Sequence, residues 1–258
     1  MIIVGLIKDL SSTGAGKAGL FMLLVLLMAS VYSLIALPRD FGANQWSSPA
    51  VWENNPKNVP PVWVTLFGDG NHVPHITYAT DFPTETGESS AGKIITYHLP
   101  FNFQSTRPPE FLVVSLEHLT YHGRPPIVEF GIVRPDGSQI MLHRYSVSGP
   151  RADEKAPIHR FHEEPLRISL TGPQTQALLR EFYFETYGTD VAIDVVRLDR
   201  SAALLSLPDQ EGKLALMSGE FKISVTVKSF DVQDSLAKVG FVLGGTVYGL
   251  MGTDSLGR

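Results

Sequence analysis

A mainly β chain with one amino-terminal transmembrane helix is what this sequence predicts. Three observations predict it: an uncharged apolar run from Ala18 to Pro38, repeated apolar–polar alternation after Trp63, and turn-forming residues set between the alternating runs. The alternating part is expected to fold as an antiparallel β-sandwich or jelly-roll-like domain outside the cytoplasm, carrying at least one α-helix.

The helix comes first. Ala18–Leu37 is apolar around its whole circumference, with Lys17 and Arg39 bracketing it. At about 1.5 Å per residue, roughly 20 residues cross a bilayer core of ~30 Å while the helix satisfies its own backbone groups. A core helix of a soluble protein rarely keeps so long a run free of polar residues. A cleaved signal peptide has an apolar region of about 7–15 residues ending at a small-residue site, whereas this run is longer and ends in Leu37-Pro38. An uncleaved span at 18–38 is therefore expected. Lys8 and Lys17 precede it, and Arg39 stands beside Asp40 after it, so residues 1–17 are expected to be a cytoplasmic lead-in. Ser12–Lys17 is not a phosphate-binding loop, because Ser11 stands where the first glycine belongs and Ala18 replaces the required hydroxyl residue.

Residues 39–62 form a connector rich in proline and asparagine, and Trp46, Trp52 and Trp63, the three tryptophans of the chain, lie in it or at its edge. Indole rings favour the membrane–water boundary, but they equally suit the base of the next domain, and the sequence leaves both readings open.

Strands dominate the expected outer domain, residues 63–236. Ile95, Tyr97 and Leu99 alternate, as do Leu112, Val114 and Leu116, then Val128, Phe130 and Ile132. Arg134-Pro-Asp-Gly-Ser138 supplies a tight turn, and Ile140 and Leu142 resume the alternation on the returning strand. Phe221, Ile223, Val225 and Val227 alternate with polar residues as in an antiparallel strand wet on one face. One helix interrupts them: Thr171 is its expected cap, Pro173 its early proline, Leu178, Leu179 and Phe182 its apolar stripe, and Gly188 its stop. Residues 237–258 then read as a glycine-rich return segment lying near the membrane.

Composition narrows the function. With 26 acidic and 21 basic residues spread without long runs, no basic field exists for nucleic acid. The absence of cysteine removes disulfides, thiol nucleophiles and thiolate-bound metals. The densest histidine cluster, His159-Arg-Phe-His-Glu-Glu164, lacks the spacing of a helical zinc site, and His118 and His122 lie too far apart along a regular strand to share an ion. Glu163 with Glu164, or Glu117 with Glu129, would be the nominal carboxylate pairs, and nothing in their spacing singles them out. No Gly-x-Ser-x-Gly elbow occurs. No catalytic residue, metal site or cofactor is expected.

The last seven residues carry a different kind of signal. Gly252, Thr253, Asp254, Leu256, Gly257 and Arg258 reproduce Gly-Thr-Asp-x-Leu-Gly-Arg, which resembles the signature preceding the second membrane helix in the dipeptide/oligopeptide/nickel class of ABC transporter permeases. Trp52–Trp63 also looks like the connector after the first helix in members of that family with an enlarged outer segment. The resemblance implies part of an importer permease subunit for peptides or similar small solutes, in the cell membrane. Its partners would be membrane lipid, a second permease subunit, cytoplasmic ATPase subunits and an extracytoplasmic solute-binding protein. The outer domain would then serve docking or gating. Because the family signature continues into further membrane helices, the chain is expected to be an amino-terminal fragment that lacks the ATPase-docking loop. Apart from the family, Asp254 and Arg258 stand at a helical i,i+4 spacing where they can pair. The competing expectation is a membrane-anchored β-sandwich module that binds a sugar or peptide itself.

Overall fold

The structure is a computed structural model that describes residues 12–68, 71–89, 92–188, 200–208 and 214–258. Most of the expected cytoplasmic lead-in, residues 1–11 with Lys8, lies outside the described residues. The chain divides into two compact units, one ending at Glu53 and one spanning Asn54–Arg258.

In the first unit, helix α1 spans Gly14–Ala36 and begins where the Thr13 hydroxyl accepts the Gly16 N–H at 3.1 Å. It starts four residues before the uncharged run and stops before Leu37, whose extended backbone (φ −96°, ψ 137°) is what a following proline favours. None of its side chains is buried, and its 23 residues give a length of about 35 Å. Ser30 and Ser33 return their hydroxyls to the carbonyls of Leu26 and Ser30, so the helix presents few unsatisfied donors to an apolar medium. The helix is long and apolar enough to cross a membrane. After it come a π-type turn, Phe41–Trp46, and a short 3-10 turn, Pro49–Trp52. Here Trp46 and Trp52 meet edge to face at 6.1 Å, and the Trp52 indole donates to the Gln45 carbonyl at 3.0 Å.

The second unit is an antiparallel β-sandwich. One sheet runs in the order β1 (Ile76–Thr80), β12 (Ser235–Leu243), β4 (Leu112–Tyr121), β7 (Ile158–Arg160), with β8 (Leu166–Ser169) also pairing with β4. The other runs β2 (Glu85–Ser89), β3 (Gly92–Phe103), β11 (Gly219–Ser229), β5 (Ile127–Val133), β6 (Gln139–Ser146), and β9 (Ser206–Pro208) and β10 (Leu214–Leu216) form a small ribbon. The alternating residues named above face inward: Tyr97, Leu99, Leu112, Val114, Leu116, Phe130, Phe221, Ile223 and Val225 are all buried. Phe101 stacks on Phe221 at 5.4 Å and reaches Phe241 of the opposite sheet at 5.1 Å, which ties the two layers together. Each such side chain contributes about 1.5–3 kcal/mol by leaving water. Tyr97 donates its hydroxyl to the Leu236 carbonyl across the core, and burial, aided by Asp81, pushes its pKa up to about 12.

The β5–β6 hairpin closes as expected. Arg134 N–H donates to the Ser138 carbonyl at 2.9 Å, Gly137 takes a positive φ of 84°, and the Asp136 carboxylate accepts the Ser138 N–H and hydroxyl. Helix α2 (Pro173–Tyr187) packs on β6 and ends at Gly188, φ 94°. Its cap is Gly172 with no side-chain bond, a correction to the expected Thr171, whose hydroxyl turns instead to Ser169 at 3.1 Å. Its buried face is Thr175, Leu179 and Tyr183, with Leu178 and Phe182 only half-buried. Beneath it the guanidinium of Arg134, 2% exposed, donates to the Tyr183 hydroxyl at 2.7 Å and to the Leu204 carbonyl of helix α3 (Arg200–Leu205) at 3.2 Å.

Two expected boundaries move. Residues 237–243 are core strand rather than a membrane-proximal return: β12 lies between β1 and β4, with Val239, Phe241 and Leu243 buried. The connector 39–62 is split, because residues from Asn54 onward belong to the sandwich unit.

Candidate functional site

The sandwich begins and finishes at one pole. Asn54–Trp63 runs beside Val247–Arg258, joined by Tyr248 N–H to the Pro60 carbonyl (3.0 Å), Val62 N–H to Gly249 (2.9 Å), Thr253 N–H to Val59 (2.9 Å) and Asn58 N–H to Asp254 (3.0 Å). Side chains add to this seam: the Thr253 hydroxyl accepts the Val59 N–H, the Asn55 amide donates to the Gly257 carbonyl at 2.9 Å, and the Trp63 indole donates to the Leu250 carbonyl at 3.0 Å. Gly252 is required, because its φ is 74° and a Cβ there would stand 2.5 Å from the Val59 carbonyl oxygen. Asp254 and Arg258 do pair, at 2.8 Å, but within a turn and not on a helix. The Asp254 carboxyl is held below the usual carboxylate range, chiefly by the Arg258 backbone N–H, then by the Leu256 N–H and the Arg258 guanidinium.

Around the seam lies a cleft of about 370 Å³ lined by Val62, Thr65, His72, His75, Val247 and Tyr248. The His75 ring meets Tyr248 edge to face at 5.0 Å, and burial lowers its pKa. Nδ1 of both His72 and His75 is buried without a hydrogen-bond partner among the described residues. Next to these lining residues in the chain stand exposed apolar side chains: Trp63, Leu66 and Phe67 from the 3-10 turn Val62–Leu66 and the residue after it, and Leu250 and Met251 after Gly249. Phe67 and Met251 are 83% and 92% exposed, values unusual for side chains of this kind. Of these residues, sequence reasoning marked only Trp63 and the closing motif.

The histidines are arranged differently from their sequence spacing. His118 sits at an irregularity in β4 with φ 56°, and its backbone N–H donates to the Phe161 carbonyl at 3.0 Å. This carries its ring to His162, with centroids 4.7 Å apart, and His162 in turn lies 4.8 Å from His159. His122 goes elsewhere, beside Asp231 and Asp234, where the donor atoms of the three lie within 4.8 Å of one another. The Asp234 carboxylate there accepts the backbone N–H groups of His122 (2.9 Å) and Asp231 (3.3 Å). The nominal carboxylate pairs are placed as follows. Glu117 pairs with Lys238 at 3.0 Å and Glu129 with Lys228 at 2.7 Å, while Glu163 and Glu164 are exposed.

These features define a class: an antiparallel β-sandwich domain preceded in the chain by a helix long and apolar enough to span a bilayer. No family model and no curated protein matches the chain. Among solved structures it is similar to infectious bursal disease virus, Gx strain, at 11% identity and TM-score 0.27, covering 67% of this chain and 30% of that one. It is also similar to a carbohydrate-binding module of the β-sandwich superfamily described as promiscuous in specificity (9%, TM-score 0.24, 74% of this chain and 62% of that one). A third is a carbohydrate-binding module in complex with β-1,4-galactotriose (9%, TM-score 0.18, 67% and 86%). The chain spans less than two thirds of the first two, and at these scores no function passes from any of them to this protein.

Proposed function

We propose that this chain is the amino-terminal portion of an importer permease subunit in the cell membrane, in which the β-sandwich is an outer domain inserted after the first span. One observation carries the reading. Of the two stretches that resemble the dipeptide/oligopeptide/nickel permeases, the first from Asn54 to Trp63 and the whole of the second, Gly252–Arg258, lie in the seam, so the domain starts and finishes at one pole. An insertion between membrane segments needs that geometry, whereas a domain hung from one anchor does not. The exposed ring of Trp63, Leu66, Phe67, Leu250 and Met251 at the same pole suits the boundary of headgroups and acyl chains. In this reading α1 leads outward from a cytoplasmic amino terminus and the pole faces lipid. The sandwich docks a solute-binding protein or gates the path, beside a second permease subunit and cytoplasmic ATPase subunits.

The natural absence of cysteine gives a clean test. Ser12→Cys should be protected from an impermeant maleimide in intact cells and Ser146→Cys labelled, and a second membrane-spanning permease subunit or a solute-binding protein should be recovered by cross-linking to the sandwich in native membranes. The reverse labelling pattern, or a sandwich that cross-links to neither partner, overturns the proposal.

A second reading is favoured by the cleft, whose volume falls at the lower end of ligand sites, roughly 300–1,000 Å³. On that reading the sandwich is an anchored module that binds a sugar or peptide on its own. Saturable thermal stabilisation of the chain by an oligosaccharide or peptide, with no partner subunit present, selects it over the first.

A further inference from the structure

We propose that His122, Asp231 and Asp234 form a binding site for a divalent transition-metal ion such as Zn²⁺, apart from the seam and its cleft. Two separate segments supply the donors. Strand β4 pairs with β12 so that Thr120 stands opposite Ser235, and this register carries His122, just past the end of β4, onto the turn Asp231–Asp234 that leads into β12. One ligand atom from each of the three lies within 4.8 Å of the other two. His122 Nδ1 stands 3.4 Å from Asp234 Oδ1, beyond the ordinary N–H···O range of about 2.7–3.2 Å. With metal–ligand bonds of about 2.0–2.2 Å, two donors on one ion at a tetrahedral angle are about 3.3–3.5 Å apart.

Charge points the same way. Asp234 is 2% exposed, and among the described residues no lysine or arginine pairs with it or with Asp231. Arg124, two residues from His122, lies over the Phe230 ring instead, 4.4 Å from its centroid. A buried carboxylate is ordinarily paired with a cation or bound to a metal. The imidazole of a metal-binding histidine is neutral, so the two carboxylates keep a charge that a divalent ion balances. Backbone N–H groups of His122 and Asp231 bond to the Asp234 carboxylate and that of Gln233 to Asp231. They hold the carboxylates in place, and each oxygen retains a second lone pair for an ion.

His122 and Asp231 are half-buried, so solvent reaches one side of the trio while Asp234 closes the other. Rotation of the Asp231 side chain brings its oxygen the remaining distance to the ion. One imidazole nitrogen with two carboxylate oxygens is a mixed set that suits Zn²⁺, which takes both kinds of donor and keeps a position for water. Mg²⁺ and Ca²⁺ favour oxygen alone.

The test uses the tag-free full chain in nanodiscs, stripped with chelator and titrated with Zn²⁺ against a chromogenic competitor. One equivalent should bind. His122→Gln and Asp231→Asn should each weaken binding by more than about tenfold, since loss of even an outer-shell partner costs roughly 10–100-fold. Asp231→Asn keeps an oxygen for the Gln233 N–H, so the turn survives the change. The double variant His159→Gln/His162→Gln should leave the titration unchanged, and excess Mg²⁺ should not displace the ion. The proposal is overturned if no equivalent binds at micromolar Zn²⁺, if the double variant His122→Gln/Asp231→Asn binds as the wild type does, or if His159→Gln/His162→Gln removes the binding. Should a variant fail to fold, pulsed paramagnetic resonance of the wild type loaded with Cu²⁺ decides: modulation from a single imidazole supports the site, and modulation from several or from none refutes it.

Discussion

Asp254 holds Arg258 on both sides of its Cα: Oδ2 lies 2.8 Å from Nε and from Nη2 of the guanidinium, and Oδ1 accepts the Arg258 backbone N–H at 3.0 Å. This folds the closing residues into a tight turn in which the Asp254 carbonyl accepts the Gly257 N–H at 3.1 Å and, from the other side of the seam, the Asn58 N–H at 3.0 Å. One carboxylate thus shapes the turn whose backbone receives the opposite strand.

Acid should open that turn. The Asp254 pKa is depressed in the fold, so its contribution is complete above the unfolded value of about 3.9 and is lost as pH falls through the lower folded value. Hydrogen exchange at Asn58 and Thr253, corrected for intrinsic rates, should show constant protection from neutrality to about pH 4 and a drop below it. Asp254→Asn should lower protection above about pH 4 and remove the step. Glu154, held at about 2 chiefly by its hydrogen bond to Arg160, titrates in the same region, so only the variant assigns the step to Asp254. Equal protection in variant and wild type would refute the assignment.

Glycine at 252 should be irreplaceable, while glycine at 249 should not. Alanine at 252 meets the Val59 carbonyl and is forced to hold φ near 74°, for a cost of about 1–3 kcal/mol. Gly249 has φ 57° but open space where a Cβ would go, so Gly249→Asn should be tolerated. Trp63 fluorescence during denaturant unfolding reads both variants, because its indole is bonded across the seam.

Tyr183→Phe should destabilise the sandwich by about 1–3 kcal/mol, since its hydroxyl is a partner of the buried Arg134 guanidinium and itself donates to the Ala203 carbonyl. Arg134→Met keeps the volume and removes the buried charge. In that background the tyrosine change should cost measurably less, and a double-mutant cycle by chemical denaturation gives the coupling. Additive effects would mean that the two side chains act independently.

Trp63 should sit at lipid depth. With Trp46→Phe and Trp52→Phe in place, its emission in vesicles should be quenched most by lipids brominated near the headgroup end of the acyl chain. Phe67→Asn with Met251→Asn should weaken the quenching. Emission at the wavelength of water-exposed indole, indifferent to bromolipid, would place the pole away from the membrane.

Strands wet on one face were legible because burial on one side writes itself as alternation, as in β3, β4, β5 and β11. Strand β12 was not. Between Val239 and Leu243 it is buried on both faces, so its apolar run reads like any uncharged segment and was given to the membrane. The histidine cluster was hidden for another reason. Spacing along a regular strand sets His118 and His122 on one face, but the irregularity at His118 breaks that register, and its neighbours come from residues 41 and 44 positions later. Of the pole, the sequence showed the motif residues but not their pairing, because the partner strand lies almost 200 residues upstream.

The seam also sets how the domain bears mechanical load. A pull applied at residues 54 and 258 is taken up by the bonds between Asn55 and Gly257 and between Asn58 and Asp254, which open one after another like a zipper. The strands of the two sheets are not stretched until the seam has parted. Up to that point the core of the sandwich stays unstrained.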